Sequence, residues 1–385
     1  MMSQTADESD ASRPELATRR IDSLRHLARP EQLRATLRLA KQPLLLPAAL
    51  AGLQAALAMA IALPLFYLSP GSHLTGYAAL GAMAALFGRF APPRRRNFIV
   101  FLSALCQTGG VVGMSLVTLL EPSVSVHLAV LALSCGLFYF ITVTGGFGPP
   151  GALIFVFAVG AAMSPVDSLY QVVERGLATG SVALLAMVIC ASTEWLRRAA
   201  TSDRQLPEAP PHPLSHRLFA SCRIAIAAAI AAYISHALGA RFPAWAAMGS
   251  LAVTQGTHLH ITLHRAIQRM AGTTVGAVVA WMIMTQEPSI WTLIAVLVVM
   301  QFATEVVIGT NYGVGQMLVT PMALLMTSLA VPGAAGTTMV SERVLDTLLG
   351  VSVGLGIALI LSSMDERAHL ARLHAQGIEK RNGGR

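Results

Sequence analysis

The chain has 385 residues, of which 54% are hydrophobic and only 12% are charged, and its mean hydropathy is +0.62. Soluble domains carry roughly a quarter charged residues, and disordered chains carry few apolar ones, so both classes are excluded. Uncharged apolar segments of about 17 to 25 residues recur along the chain, which is the length of membrane-spanning helices and not the alternating pattern of barrel strands. The composition therefore predicts an all-α integral membrane protein.

The net charge of +8 does not indicate a nucleic-acid partner, because the basic residues lie in the short connections between apolar segments. Cations resist translocation and accumulate in cytoplasmic connections. When the 27 Lys and Arg residues are assigned to alternate connections, all except Arg175, Arg241 and Arg343 fall on the side of the two termini. Both termini are therefore expected to be cytoplasmic.

The N-terminal part of the chain divides into a polar segment and a first set of spans. Residues 1–42 are basic and have no signal-peptide core at their start, so they are predicted to be a cytoplasmic segment. The first transmembrane half is expected at 43–196. Its spans are predicted near 43–68, 74–90, 97–120, at two places within 122–166 on either side of the glycine and proline run 145–150, and at 174–196.

Residues 197–217 form the most hydrophilic internal stretch and contain four prolines, which predicts a short cytoplasmic linker. The second transmembrane half is expected at 218–363, followed by a cytoplasmic tail at 364–385. Its spans are predicted near 218–239, 242–257, 266–286, 288–308, 311–331 and 343–363. The segments near 74–90 and 242–257 are short for a full crossing.

The two halves resemble each other at corresponding positions. Residues 77–81 (Tyr-Ala-Ala-Leu-Gly) correspond to 245–249 (Trp-Ala-Ala-Met-Gly), and the pattern Glu-Arg-x-Leu-x-Thr occurs at both 174–179 and 342–347. With an even number of spans in each half, both halves face the same way across the membrane. The sequence thus predicts about twelve transmembrane helices in two parallel six-helix repeats, with substrate bound where the halves meet.

Three segments of the second half carry a family resemblance. They are 269–276 (Arg-Met-Ala-Gly-Thr-Thr-Val-Gly), the pairs Asn311-Tyr312 and Thr320-Pro321, and 342–347 followed by Gly350. In this order, after the Pro-Ala-Trp-Ala-Ala sequence at 243–247, they resemble the integral membrane domain of the fusaric acid resistance (FUSC) and aromatic acid exporter family. The resemblance covers about residues 215–363 and extends more weakly to the first half.

This resemblance implies an inner-membrane exporter of small, often aromatic, carboxylic acids that confers resistance to toxic weak acids. It also implies a distant similarity to plant malate-conducting anion channels. Many members have a sizeable cytoplasmic domain between their halves, whereas this chain has only the linker 197–217. The expected partners are the organic anion and the lipid bilayer; a second copy of the chain and a periplasmic adaptor are compatible with the sequence.

Few charged residues lie within the predicted spans, and a charge at the bilayer centre costs roughly 2.5 to 3.5 kcal/mol on insertion scales. Arg269 is the candidate for anion contact, because a guanidinium binds a carboxylate bidentately. On the same predicted helix, Gly272 and Gly276 have the spacing that permits close packing of a neighbouring helix. The alternative role of Arg269 is a cytoplasmic anchor that reaches the lipid headgroups. Glu305 is the candidate proton carrier, with the alternative that its carboxylate reaches the cytoplasmic interface.

Arg343 and Asp346 are three residues apart, so they share a helical face and are able to pair. An exposed salt bridge near the outer mouth and a place on the substrate pathway are both open. Trp245 and Tyr77 are able to stack with an aromatic acid, although aromatic residues near helix ends usually belong to the interfacial belt.

Asn311, Tyr312 and Thr320 offer an amide and two hydroxyl groups within one predicted helix, and are added to the pathway residues. Pro321 removes one backbone hydrogen bond, which frees the carbonyl near Met317 for substrate or water if a cavity adjoins it. The alternative is a proline kink that only shapes helix packing.

Neither a metal, a cofactor nor a catalytic residue is predicted. His258, His260 and His264 lie in a short connection without a nearby carboxylate or cysteine, and no Walker-type Gly-Lys-Ser/Thr ending occurs. Export would therefore draw on the proton gradient. Two other classes stay open, which are a passive organic-anion channel and a membrane-embedded enzyme that uses the histidines.

Overall fold

The computed structural model of the protein describes residues 45–196, 213–255, 259–330 and 337–361. Within these ranges the side chains of residues 93, 94, 259–261 and 337 are not described. The predicted N-terminal segment, the tail, His258 and residues 197–212 of the predicted linker lie outside the described residues. All regular secondary structure in the described ranges is helical, which confirms the all-α prediction.

Within the described ranges, the helices of eight or more residues form two sets of six, one before and one after residues 197–212. The first set is α1 (Leu45–Leu68), α2 (Thr75–Ala82, continued by a 3-10 turn at Met83–Leu86), α3 (Pro93–Leu119), α4 (Val124–Gly145), α5 (Leu153–Ala161) and α6 (Leu169–Ser192). The second set is α7 (Leu214–Ala237), α8 (Ala244–Thr254), α9 (Leu259–Met284), α10 (Ile290–Val307), α11 (Tyr312–Ala330) and α12 (Thr337–Ile360).

Nine of the helices within the described ranges are long and apolar enough to cross a bilayer. The other three, α2, α5 and α8, are short; α8 has 11 residues, which corresponds to about 16 Å against a hydrocarbon core of about 30 Å. Every residue of α2 and α8 is buried, so their ends are surrounded by protein and not by lipid. The prediction of about twelve full spans is therefore not confirmed.

Helices α9 and α12 begin before the predicted spans, because each starts with polar residues that a hydropathy criterion leaves outside the apolar segment. Helix α9 begins at Leu259 instead of residue 266, and α12 begins at Thr337 instead of residue 343. Arg269 and Arg343 consequently lie about 15 Å and about 9 Å from the starts of their helices at 1.5 Å per residue. Both arginines are placed inside the helical bundle and not at its rim.

Corresponding helices of the two sets make corresponding contacts. In both sets the second helix packs on the sixth, as does the third, while α1 packs along α10 and α7 packs along α4. The contact between the second and sixth helices uses a glycine in each set: Gly81 meets the backbone of Thr179, and Gly249 meets the backbone of Thr347 and Gly350. Small residues permit such close helix packing where lipid offers little hydrophobic driving force.

Substitution of Gly350 tests this packing, because a Cβ atom there would overlap the carbonyl group of Ala246 on α8. We expect Gly350→Ala to lower the unfolding free energy in detergent by about 1 to 3 kcal/mol, the usual cost of overpacking. Gly356 lies on the same helix, and a Cβ atom added there would meet no neighbouring group within 4 Å, so Gly356→Ala is the matched control. That control should be neutral or stabilising by up to about 1 kcal/mol. Equal melting temperatures of the two variants would contradict the contact.

Candidate functional site

A cavity of about 250 Å³ lies between the two sets of helices. Its volume holds several water molecules, at about 30 Å³ each in the liquid, or one small organic molecule. Aromatic and polar side chains contribute to its wall, together with the exposed basic residue Arg241. Its lining includes Phe157, Ser164, Pro165, Arg241, Phe242, Trp245, Met248 and Thr327.

Two arginine–aromatic pairs adjoin this cavity at corresponding positions of the two sets. The guanidinium carbon of Arg343 lies 5.2 Å from the centroid of the Trp245 ring, and that of Arg175 lies 5.0 Å from the Tyr77 ring. These distances are typical of cation–π contacts. Trp245 and Tyr77 are 3% and 2% exposed, so neither belongs to an interfacial belt.

The two arginines differ in the hydrogen bonds that their guanidinium nitrogen atoms form. Arg175 donates to the backbone oxygens of Ser164 at 3.1 Å and Pro165 at 2.7 Å. Arg343 is 3% exposed, and its Nε and Nη1 atoms are buried without a hydrogen-bond partner among the described residues. Buried unsatisfied donors are costly, so the guanidinium of Arg343 retains hydrogen-bonding capacity for a ligand or water.

Asp346 is buried at 3% exposure, one turn from Arg343. Its Oδ1 atom accepts a hydrogen bond of 2.6 Å from the Ser235 hydroxyl, while Oδ2 is buried and has no partner in the described part of the chain. Over these described residues Asp346 and Arg343 form no ion pair within 4.0 Å, although their charges interact. The interpretation of Arg343 and Asp346 as an exposed salt bridge is therefore wrong. Both residues are buried, and their charges interact without a direct ion pair.

Arg269 is 1% exposed and does not reach the headgroups, so the anchor interpretation is wrong for this residue. Its Nη1 atom donates to the Tyr312 hydroxyl at 3.1 Å and to Gln316 Oε1 at 3.4 Å. The charge of Arg269 also interacts with that of Arg343. Two guanidinium groups that approach each other in a buried setting form an electropositive site.

The close-packing prediction for Gly272 and Gly276 is confirmed. A Cβ atom at Gly272 would overlap the backbone of Gly313, and one at Gly276 would lie 2.8 Å from Thr320 Cβ and 2.9 Å from the Met317 oxygen. Helix α9 therefore covers the Met317 carbonyl group. The expectation that this carbonyl is available to substrate is not supported by the structure.

The remaining residues predicted on α11 have separate roles. Asn311 precedes the helix, and its Oδ1 atom accepts hydrogen bonds from the backbone N–H groups of Gly313 at 2.8 Å and Val314 at 3.3 Å. This is the arrangement of a helix N-cap, which gives Asn311 a structural role. Thr320 is fully buried and its hydroxyl oxygen has no partner within the described ranges, so it adds a polar group to the interior.

Glu305 is 4% exposed and forms an ion pair with Arg89, which precedes α3 in the first set of helices. Helix α1 approaches Glu305 at Gly52. The carboxylate thus does not reach the cytoplasmic interface as the alternative interpretation expected. Because Arg89 and Glu305 are 216 residues apart, their ion pair ties the two sets of helices together.

A second buried ion pair was not predicted. Arg96 has no exposed surface and donates to Glu194 Oε2 at 2.9 Å and to Gln54 Oε1. The amide nitrogen of Gln54 donates to the Thr193 hydroxyl at 2.6 Å. Arg89 and Arg96 were expected only as cytoplasmic charges. The polar Gln54 within an otherwise apolar helix is the signal that pointed to a buried network.

The described histidines give no support to a metal centre. His264 is half-buried and His260 has no described side chain. Within the described ranges no group of three His, Cys, Asp or Glu residues is arranged to hold a metal ion.

Comparison with known proteins is consistent with these observations. Residues 228–357 match a family described as fusaric acid resistance protein-like. The chain is also similar to an uncharacterized membrane protein, YvaC, of Bacillus subtilis (strain 168), with 32% identity over 111 residues. That alignment spans 29% of this chain and only 18% of the relative's length. No solved structure matches the chain.

The protein is therefore a multi-pass membrane protein, and the regular secondary structure of its described residues is helical. Its residues 228–357 resemble the fusaric acid resistance protein-like family, which confirms the resemblance for that part of the chain. Trp245, Arg269, Arg343 and Asp346 all lie within this segment.

Proposed function

We propose that the protein exports small organic anions, chiefly aromatic carboxylates, across the bacterial inner membrane and so confers resistance to toxic weak acids. The observation that carries this proposal is the burial of Arg269 and Arg343, whose charges interact, with Arg343 over the ring of Trp245, which lines a cavity with aromatic walls. Charged groups within a bilayer usually mark a substrate or ion pathway. The family match of the same segment also supports transport.

The proposed architecture is a pair of parallel repeats, with both termini in the cytoplasm and the cavity on the periplasmic side where the halves meet. The corresponding helix contacts and the corresponding Arg343–Trp245 and Arg175–Tyr77 pairs support it. The short helices α2, α5 and α8 would line the route, because irregular or broken helices within a bilayer are tolerated only inside protein.

In this proposal the carboxylate of the substrate binds a guanidinium group, and its ring occupies the cavity beside Phe242 and Trp245. These two rings stack with centroids 4.9 Å apart. A planar guanidinium with free donors forms two parallel hydrogen bonds to a carboxylate, which a hydroxyl or amide group does not. The site therefore favours carboxylates over neutral aromatic molecules.

For energy we propose coupling to the proton gradient, with Glu305 as the proton carrier. Protonation would break its ion pair with Arg89 and so loosen the contact between the two sets of helices. Protonation of Glu305 would then be linked to a change in the side of the membrane from which the cavity is accessible. If substrate efflux from energised vesicles continues after the proton gradient is collapsed, the coupling proposal fails.

The transport proposal is tested with purified protein in liposomes loaded with radiolabelled benzoate. We expect benzoate to leave these vesicles faster than it leaves protein-free vesicles, and unlabelled benzoate to compete. Release at the protein-free rate for benzoate and for a panel of aromatic and aliphatic acids would refute the proposal. The alternative is a passive organic-anion channel, which would give unitary currents in planar bilayers, whereas a carrier would not.

A further inference from the structure

Three buried ionisable side chains in the second set of helices form an unbalanced group. Arg343 and Arg269 are cationic and Asp346 is anionic, and the charge of Arg343 interacts with both of the others. Glu342, the neighbouring acid, lies half-buried at the rim, where its carboxylate accepts hydrogen bonds from the backbone N–H groups of Arg241 and Phe242. The buried group thus carries a formal charge of +1.

An uncompensated buried charge is strongly destabilising, whereas a bound counter-ion offsets it. Unused hydrogen-bonding atoms lie on the two helices that carry these residues, α9 and α12, and on α8 and α11, which pack against them. Across the described residues, the buried atoms without a partner include Ser250 Oγ, Arg269 Nε, Thr273 Oγ1, Thr320 Oγ1, Arg343 Nε and Nη1, Asp346 Oδ2 and Thr347 Oγ1. Apart from the acceptor Asp346 Oδ2, these guanidinium and hydroxyl groups are donors, and donors that accompany a net positive charge are what an anion requires.

The corresponding place in the first set of helices lacks this imbalance. Arg175 donates to three backbone oxygens, and Ala178 stands where the second set has Asp346. Cys106 precedes Gly109 by the three residues that separate Arg269 from Gly272, so there is no second guanidinium. The hydroxyl group of Thr179 donates to the backbone carbonyl oxygen of Tyr77 at 3.3 Å, whereas the equivalent hydroxyl of Thr347 has no partner in the described ranges.

We propose that the anion binds in only one half of the fold, where Arg343 and Arg269 hold a single monovalent carboxylate, and that Arg175 is a structural residue. This inference rests on the proposed function and assigns the site and its charge. Asp346 then acts as an internal competitor, because its carboxylate and that of the substrate both neutralise Arg343. A dianion would overcompensate the charge of +1, so monovalent acids are favoured.

The experiment measures benzoate binding to the purified full-length protein in detergent, by equilibrium dialysis and by the benzoate-induced rise in melting temperature. We expect one benzoate per chain. Arg343→Gln should weaken binding at least about 30-fold, corresponding to about 2 kcal/mol. Its matched control is Arg175→Gln, which removes the equivalent guanidinium and should change the dissociation constant less than about three-fold.

A third variant is expected to strengthen benzoate binding, a result that misfolding would not produce. Asp346→Asn keeps an oxygen to accept the Ser235 hydrogen bond but removes the competing charge. We expect it to bind benzoate several-fold more tightly than the wild type at the same pH and salt concentration. A merely structural role of Asp346 would give weaker binding or none.

The outcomes separate this inference from the proposed function. Two benzoates per chain, equal losses in Arg343→Gln and Arg175→Gln, or weaker binding by Asp346→Asn would each overturn the single-site inference while leaving export intact. If the wild type neither binds nor transports benzoate or any acid of the panel, the proposed function fails and the inference fails with it.

Discussion

Glu305→Gln is expected to lower the unfolding free energy by about 3 to 5 kcal/mol, because it leaves the guanidinium of Arg89 buried without a counter-charge. Arg89→Gln should lower the unfolding free energy by a similar amount, because it leaves the carboxylate of Glu305 buried without a cation. The double variant should cost less than the sum of the two, since no unpaired charge remains. Thermal unfolding in detergent measures all three, together with the yield of protein from membranes.

The control for this prediction is Glu287→Gln, which neutralises an exposed acid in the connection between α9 and α10. Its melting temperature should stay close to that of the wild type, as surface substitutions usually do. If Glu305→Gln were as harmless as Glu287→Gln, the ion pair would have no structural role. Strictly additive losses in the double variant would show that Arg89 and Glu305 do not interact.

Arg269→Lys is expected to reduce benzoate transport about 30-fold or more while the protein still folds. A lysine keeps the charge but offers a compact ammonium group, so it does not hold Tyr312, Gln316 and a carboxylate together as the guanidinium fork does. A loss of about 2 kcal/mol or more is typical when a buried charged hydrogen-bonding partner is removed. Initial rates of benzoate release from liposomes measure the effect.

Arg265→Lys is the matched control, because Arg265 lies one turn earlier on α9 and is only half-buried. Its transport rate should remain within about two-fold of the wild type, as expected for a surface cation. Arg269 would be excluded from the pathway by a wild-type rate in Arg269→Lys. Equal losses in both variants would indicate that α9 is generally sensitive to replacement of arginine by lysine, and not that Arg269 makes a specific contact.

The local features of the fold were predictable to different degrees. Gly272 and Gly276 were correctly identified as a close-packing surface, because small residues four apart on an apolar helix have few other uses. The starts of α9 and α12 were placed too late, since their first turns carry polar residues that a hydropathy criterion leaves outside an apolar span. The short, wholly buried α2 and α8 were counted among the spans, with their full crossing left open, because apolar composition alone does not distinguish a helix buried in protein from one in lipid.

The charged residues of the candidate site could be identified from the sequence, but the side chains with which they interact could not. Arg269, Arg343 and Asp346 stood out because charges are rare in apolar segments. Their hydrogen-bonding partners could not be predicted from the sequence, since Asp346 accepts a hydrogen bond from Ser235, 111 residues away, instead of forming an ion pair with Arg343 on its own helix. Asn311 was selected for its amide group, yet local geometry uses that group to cap α11.

The amino-acid sequence alone determined that this is a helical membrane protein with a fusaric acid resistance-like segment, because hydropathy, segment length and motif order are local properties of the chain. The tertiary structure decided which charges are satisfied: Arg89 and Arg96 pair with Glu305 and Glu194, residues 216 and 98 positions away. A buried guanidinium either forms an ion pair within the protein or keeps free donors that are able to bind an anion. Which of the two applies depends on side chains that helix packing brings near, and these cannot be identified from sequence spacing.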